Sequence, residues 1–409
     1  MNSSYEQKHP LYAASFTKRR KAMDLYEGGE RIEGNRAYLT RHTYESDKQY
    51  DIRASRATYR NFAAPIVDVF ASFINEGRPE RILPDALRPI EADADRYGMT
   101  ADAFFADVTR LAAAGGARFV IVDMEQKKGE TVAEDRASGR RMVPYFTSIS
   151  PDDVWDWGMD AKGLAWAVIH SEEMEHPAAF AAPLRYETLT VWTRDSWTRY
   201  RRPMKDKENT EYALTENGER RHGLGAVPLV PFLFEPTSPM TGLPATDDVL
   251  SLILRIYRRD SELDKMLFDR AVPLLNVGGV SQEHWDTFVV ASSNALMSTE
   301  PGGITAQYVE PVWHRVSGAG RSPCPRRGQR AGNLPSYGPS AIRRGRVRRV
   351  QGHRQNTARH AACQLRPAQR QRAEALCWKL AARWLGAKED GSEATVKIKG
   401  QTPAKEGQG

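Results

Sequence analysis

Sixty-three consecutive residues, Pro311 to Ala373, contain 15 Arg and not one Lys, Asp or Glu. Pro, Gly and Arg dominate there, and apolar residues recur with neither the period of a helix nor that of a strand, so this stretch presents no face that a core could cover. The other 346 residues carry 44 basic and 52 acidic groups, a net of −8 in a chain whose total is +7. The basic pI of about 9.2, which alone would suggest an anionic partner, therefore belongs to one segment of an otherwise acidic protein.

With 409 residues, 40% of them hydrophobic, the chain is long enough to bury a core and to divide into roughly two or three regions. Its three cysteines, Cys324, Cys363 and Cys377, are too far apart for a zinc knuckle or a redox pair, and their odd number argues for a reducing compartment. No apolar run reaches about 18 residues, and Met1 to Arg20 is polar, so neither a membrane span nor a secretory signal is expected.

The patterning predicts an α+β fold. Phe62, Ile66, Val67, Val69, Phe70, Phe73 and Ile74 recur at helical spacing behind Asn61, a capping residue, which predicts a helix over 61–75. A second helix is expected over 101–114, stopped by Gly115-Gly116 and followed by a buried strand at 118–123. Residues 118–235 read as β-rich. Leu189, Val191 and Thr193 alternate before Arg194-Asp195-Ser196, and Trp197, Arg199 and Arg201 alternate after it, the pattern of a hairpin. The tryptophans at 155, 157, 166, 192 and 197 are expected in a core, since Asp152, Asp153, Asp156 and Asp160 would repel the phosphates of a stacked nucleic acid.

The longest helix is expected at 246–271, with Thr246 as its cap, Asp247 and Asp248 at the positive end of its dipole, and a stripe of Val249, Leu252, Ile253, Ile256, Leu263, Met266 and Leu267 facing inward. Arg255, Arg258, Arg259, Lys265 and Arg270 lie on the other side among acidic residues, either as a solvated face or as a surface for a partner. Two strands near 274–278 and 306–310 bracket a loop, and a helix returns at 374–386, ended by Gly386.

Chemistry is sparse. There is no Gly-x-x-x-x-Gly-Lys, Gly-x-Ser-x-Gly or His-Glu-x-x-His motif. His170-Ser-Glu-Glu-Met-Glu-His176 has donors of the right type for a metal, yet nothing completes a ligand set, and a solvated acidic loop is the expectation. Neither a catalytic residue, a metal nor a cofactor is expected, and the chain does not read as an enzyme.

A series of segments in a fixed order resembles the portal proteins of tailed bacteriophages. They are Tyr26-Glu-Gly-Gly-Glu-Arg-Ile-Glu, Tyr38-Leu-Thr-Arg41, Tyr50-Asp-Ile-Arg53, Tyr59-Arg-Asn61, Ile149-Ser-Pro-Asp-Asp-Val-Trp-Asp-Trp157, Val227-Pro-Leu-Val-Pro-Phe232, the helix running into Ala271-Val-Pro-Leu-Leu, and Gln307-Tyr-Val-Glu-Pro311. The resemblance spans residues 20–312 and returns at 374–390. It implies a wing over about 1–240, a stem helix at 246–271, a clip at 272–312, a crown-like helix at 374–386 and a flexible tail at 387–409. It further implies a self-associated ring, typically a dodecamer, acting as head-tail connector at the capsid vertex of a virion assembled in a host bacterium. Its partners would be the terminase large subunit, a capsid or scaffold protein, a head-tail adaptor, and double-stranded DNA without sequence specificity. No membrane is involved, and the stem cations Arg255, Arg258, Arg259, Lys265 and Arg270 become channel or interface candidates.

Such portals carry a second stem helix and a channel loop where this chain has its acid-free stretch. A compensated frameshift between about residues 313 and 373 accounts for the gap. Read one base later, the codons of Asn333-Leu-Pro-Ser-Tyr-Gly-Pro-Ser permit a Leu-Glu-Ile-like apolar run, and the helix after Ala373 fits a return to the original frame. As written, the stretch is expected to impair ring assembly. The rival reading is a nucleic-acid-binding protein whose residues 314–372 form an Arg-rich arm; it explains the arginines and leaves the acidic body unexplained.

Overall fold

The computed structural model describes residues 7–76, 79–125, 142–204, 212–271, 274–278, 305–309, 368–386 and 397–399, with side chains omitted at 216–217, 269–278, 305–309 and 397–399. In chain order the elements are α1 (Pro10–Glu27), α2 (Asp47–Ala54), α3 (Ala63–Ile74), β1 (Glu80–Ile82), α4 (Arg88–Ala92), α5 (Ala101–Gly115), β2 (Ala117–Asp123), β3 (Tyr145–Ile149), β4 (Val154–Asp160), β5 (Gly163–Glu175), β6 (Leu184–Thr193), β7 (Ser196–Pro203), β8 (Ala213–Arg221), β9 (Leu229–Leu233), β10 (Glu235–Pro236), β11 (Gly242–Leu243), α6 (Leu250–Ala271), β12 (Leu274–Gly278), β13 (Thr305–Val309) and β14 (Lys397–Lys399). A further helix, α7, spans 368–384. The fold class is α+β, as the patterning predicts, with every strand pair antiparallel.

Two compact units divide the chain, neither continuous in sequence. The first comprises 1–31, 61–253 and 351–409, the second 32–60 and 254–350. Residues 313–367, most of the Arg-rich stretch, lie outside the described residues, as do Cys324 and Cys363.

In the first unit β2 is buried on both faces, and the alternation of its side chains builds two cores. Val120 and Val122 join Phe104, Phe105 and Val108 of α5, Phe146 of β3, Phe232 of β9, and Cys377, Trp378 and Ala381 of α7. Ala117, Phe119 and Ile121 point the other way, onto Trp155, Trp157, Ile169, Leu189 and Trp192 and onto Tyr12 of α1. The sheet that carries β2 has the order β3-β2-β9, and β4 to β8 form a five-stranded meander. The tryptophans at 155, 157 and 192 are thus core residues, as their acidic surroundings predict, whereas Trp166 and Trp197 are only partly buried, Trp197 packing against the edge of that core.

Local signals set the helix ends. Asn61 Oδ1 accepts from the Ala64 amide at 2.9 Å, so it closes the start of α3 as its position suggests. Thr100 caps α5, and Gly116 ends it at φ 87°. A Cβ at Gly116 would lie 2.4 Å from the Gly242 carbonyl oxygen, and one at Gly242 would lie 2.5 Å from the Gly116 oxygen. These two backbones touch with no room for a side chain.

Two expectations change here. The segment around His170 is part of β5, not a solvated loop: its ring stacks on Trp155 at 4.3 Å, and its Nε2 lies 3.1 Å from Glu187 Oε1. Backbone pairing with β6 holds residues 170–175 in the sheet, while the Glu172 and Glu175 side chains stay exposed. The terminal helix is already formed at residue 368, ahead of the expected 374, with Ala, Gln and Arg carrying it through the end of the Arg-rich stretch.

Candidate functional site

The second unit is organised around α6, whose 22 residues contain neither Gly nor Pro and span about 33 Å at 1.5 Å per residue. The helix begins at Leu250, not at Thr246. Residues 246–249 form a turn in which the Thr246 carbonyl accepts from the amides of Val249 and Leu250, both at 2.9 Å. The Thr246 hydroxyl is buried with no hydrogen-bond partner among the described residues, and Asp247 pairs with Lys18 of α1 at 2.7 Å. A tertiary contact has taken the acidic residue that the sequence assigns to the helix dipole.

Leu254, Tyr257 and Ser261 form the inner side of α6 within this unit. The Tyr257 hydroxyl donates to the Ile32 carbonyl at 3.1 Å and accepts from the Gly34 amide at 3.2 Å, while its ring meets Tyr59 edge-on. Burial pushes the Tyr257 phenol up and holds that of Tyr59 at about 12.

Deeper in the unit, Arg53 of α2 forks onto Glu45, Nε to Oε1 at 2.8 Å and Nη2 to Oε2 at 2.7 Å, with both side chains almost fully buried. Arg53 also donates to the Thr40 carbonyl and to Ser261 Oγ of α6. The Arg53 hydrogen bonds hold the Glu45 carboxyl at about 2 against its desolvation. This pair ties the 32–60 segment to the helix. Ser46 and Gln49 close a capping box at the start of α2, a signal that the sequence does carry. The pair itself, eight residues apart, obeys no local spacing rule and escapes a reading by periodicity.

The five candidate cations separate. Arg255 and Arg259 are exposed one turn apart. Arg258 is turned inward, its Nε donating to the Tyr38 carbonyl at 2.8 Å. Lys265 is half-buried beside a small recess of about 70 Å³ lined by Gln49, Ile52 and Arg56, where the Arg56 guanidinium lies over Phe268. The side chain of Arg270 is outside the described residues. Leu252, Leu263, Met266 and Leu267 do not face inward as their spacing predicts; each is about half exposed, and Leu252, Arg255, Arg259, Leu263 and Met266 share one outer face.

That face is apolar and cationic by turns, suited to another protein surface or to passing phosphates, and holds no convergent acid and base. Among the described residues, no group of three His, Cys, Asp or Glu could hold a metal, and no helix is long and apolar enough to cross a membrane. Beyond α6, the two strands expected near 274–278 and 306–310 are present as β12 and β13 and pair antiparallel, Leu274 with Val309 through Gly278 with Thr305.

The chain matches no protein-family model and no curated protein. Among solved structures it is similar to a chain in the neck of a native gene transfer agent particle computed with C12 symmetry, at 13% identity, 61% coverage of this chain, 57% of that one and a TM-score of 0.30. A chain in the neck of an empty particle computed with C6 symmetry gives 14% identity, coverages of 61% and 58% and a TM-score of 0.30. A chain in the virion of the native gene transfer agent gives 13%, coverages of 72% and 66%, and 0.31. The chain thus spans 57 to 66% of the length of these solved chains.

Proposed function

We propose that this chain is a portal-type subunit, a non-enzymatic ring component at the capsid vertex of a phage-like particle, through which double-stranded DNA is packaged and ejected. The observation that carries the reading is the succession of α6 and the β12–β13 hairpin. A long helix leads within three residues into an antiparallel hairpin, in the order of stem and clip that the sequence resemblance implies. The acidic body supports it, because a channel that moves DNA must not hold it, and each Lys or Arg contact to phosphate adds salt-sensitive affinity. On this reading Arg255 and Arg259 face the channel or a neighbouring subunit. The terminase large subunit, a capsid or scaffold protein and a head-tail adaptor are its partners.

Sequencing the gene across codons 305–380 tests the frameshift, and a shifted frame crowded with stop codons would sink it. Size exclusion with light scattering tests the ring. A frame-restored chain is expected to assemble and the present chain to assemble poorly. A frame-restored chain that stays monomeric under packaging-buffer conditions would overturn the ring, and a stable ring of the present chain would overturn the expected impairment.

A further inference from the structure

Histidine changes charge in the mildly acidic range, and one histidine of the first unit is seated for its neutral form alone. His222 lies just past β8, between two indoles from different elements, with ring centres 5.8 Å from Trp192 of β6 and 5.7 Å from Trp384 of α7. Its Nδ1 accepts from the Leu224 amide at 3.3 Å, so the ring proton is on Nε2, which is buried with no hydrogen-bond partner among the described residues. A second proton would set one N–H against another at Leu224.

The same few residues hold the C-terminal end of α7. Trp384 Nε1 donates to the Val122 carbonyl of β2 at 2.9 Å, and Arg383 Nη1 donates to the Leu224 carbonyl at 3.2 Å. Leu224 is thus bonded through its amide to His222 and through its carbonyl to α7. Charges on the surrounding elements pull in both directions. The Asp195 carboxylate and the backbones of Thr193 and Ser196 favour a charged ring, yet burial prevails and holds His222 below the usual histidine range. The neighbouring cations are Arg383 of α7 and Arg220 and Arg221 at the end of β8, with Asp123 of β2 acting on Arg220; Arg194 of the β6–β7 turn is bonded to Asp160. A base held low in the fold contributes stability that is complete above about pH 6.5 and is lost as pH falls below it.

We propose that His222 is an acid-released latch on the C-terminal end of α7: neutral, it wedges between the two indoles and accepts from Leu224; protonated, it leaves that seat and frees Trp384 and Arg383 from the sheet. The other end of the helix is fixed separately, where Glu374 pairs with Arg81, so the release is local. The latch is internal to one chain and holds whether or not copies assemble.

Hydrogen–deuterium exchange of the full chain, read by mass spectrometry at pH 7.5 and 5.5 with the intrinsic pH dependence of exchange divided out, tests it. Opening of residues 379–386 is expected to rise about three- to tenfold at pH 5.5, tenfold being the limit for one site that titrates near 6.5 when open, while α5 stays protected. His222→Phe keeps an aromatic wedge that takes no proton and is expected to remove the rise. His222→Asn keeps an acceptor for Leu224 and is expected to do the same, so the test stands even if the phenylalanine variant folds badly. A flat profile in the unaltered chain, a rise shared equally by α5, or a rise that survives in either folded variant would overturn the proposal.

Discussion

Arg81 and Glu374, 293 positions apart, meet in a buried ion pair with Nε 2.6 Å from Oε1 and side chains 5% and 0% exposed. Arg81 also donates through Nη1 to Asp102 at 2.6 Å, and Trp378 Nε1 donates to Glu374 at 3.4 Å. The helix that follows the Arg-rich stretch is thereby locked to β1 and α5. Glu374→Ala would remove the fully buried partner of Arg81 and leave its guanidinium to the half-exposed Asp102, and is expected to cost about 3 kcal/mol in urea unfolding. Asp102→Ala removes a partner that is 45% exposed and is expected to cost roughly 1 kcal/mol or less. Equal effects would show that the buried pair is not what fixes α7.

The Glu45–Arg53 pair predicts an acid sensitivity in the second unit. A carboxyl at about 2, below its ordinary 4.5, favours the charged form in the fold, so its contribution is complete above pH 4.5 and declines as pH falls through about 2. Glu45→Gln is expected to lower the urea midpoint at pH 7 and to flatten its fall between pH 4.5 and 2. An unchanged acid profile would contradict the assignment.

Two glycines with nearly equal backbone angles are expected to respond differently to alanine. Gly116 (φ 87°) faces the Gly242 carbonyl at 2.4 Å from a would-be Cβ, whereas Gly98 (φ 92°) has nothing within 4 Å. Gly98→Ala carries only the left-handed backbone cost, about 1–2 kcal/mol. Gly116→Ala adds backbone displacement and is expected to cost about 1–3 kcal/mol more, read as the difference in urea midpoints.

At Phe180 the sign reverses. Glycine takes φ 66° without steric cost, relieving about 1–2 kcal/mol against about 0.5–1 kcal/mol of lost chain restriction. Phe180→Gly is expected to leave the Tm unchanged or slightly higher. A fall of several degrees would mean that Phe180 packs within its own chain.

What the sequence discloses here is what neighbours along the chain decide. Asn61, Thr100 and Gly116 mark helix ends because their hydrogen bonds or backbone angles act within a turn. The Arg194-Asp195 turn marks its hairpin for the same reason. The start of α6 lies four residues past Thr246 because the chain first makes a turn on the Thr246 carbonyl, and Asp247 faces Lys18, far away in sequence. His170 reads as a loop residue because the groups that hold it, Trp155 and Glu187, come from other strands. Of the candidate cations, Arg258 could not be told from Arg259 by spacing, and only the Tyr38 carbonyl separates them. The alternation within β2 gives a buried strand, while its serving two cores depends on what each face meets.

The seating of Cys377, Trp378 and Ala381 beside Phe105 and Phe146 has a consequence for synthesis. After β9 leaves the ribosome, about 150 more residues must follow before α7 is available, at 5–20 residues per second a delay of roughly 8–30 s. Throughout that interval the nascent chain holds a half-finished aromatic surface, with the Arg-rich stretch as the last segment translated before closure. Any ribosome that stops within that stretch releases a chain that can fold its sheets and cannot seal them, a substrate for chaperones and proteases.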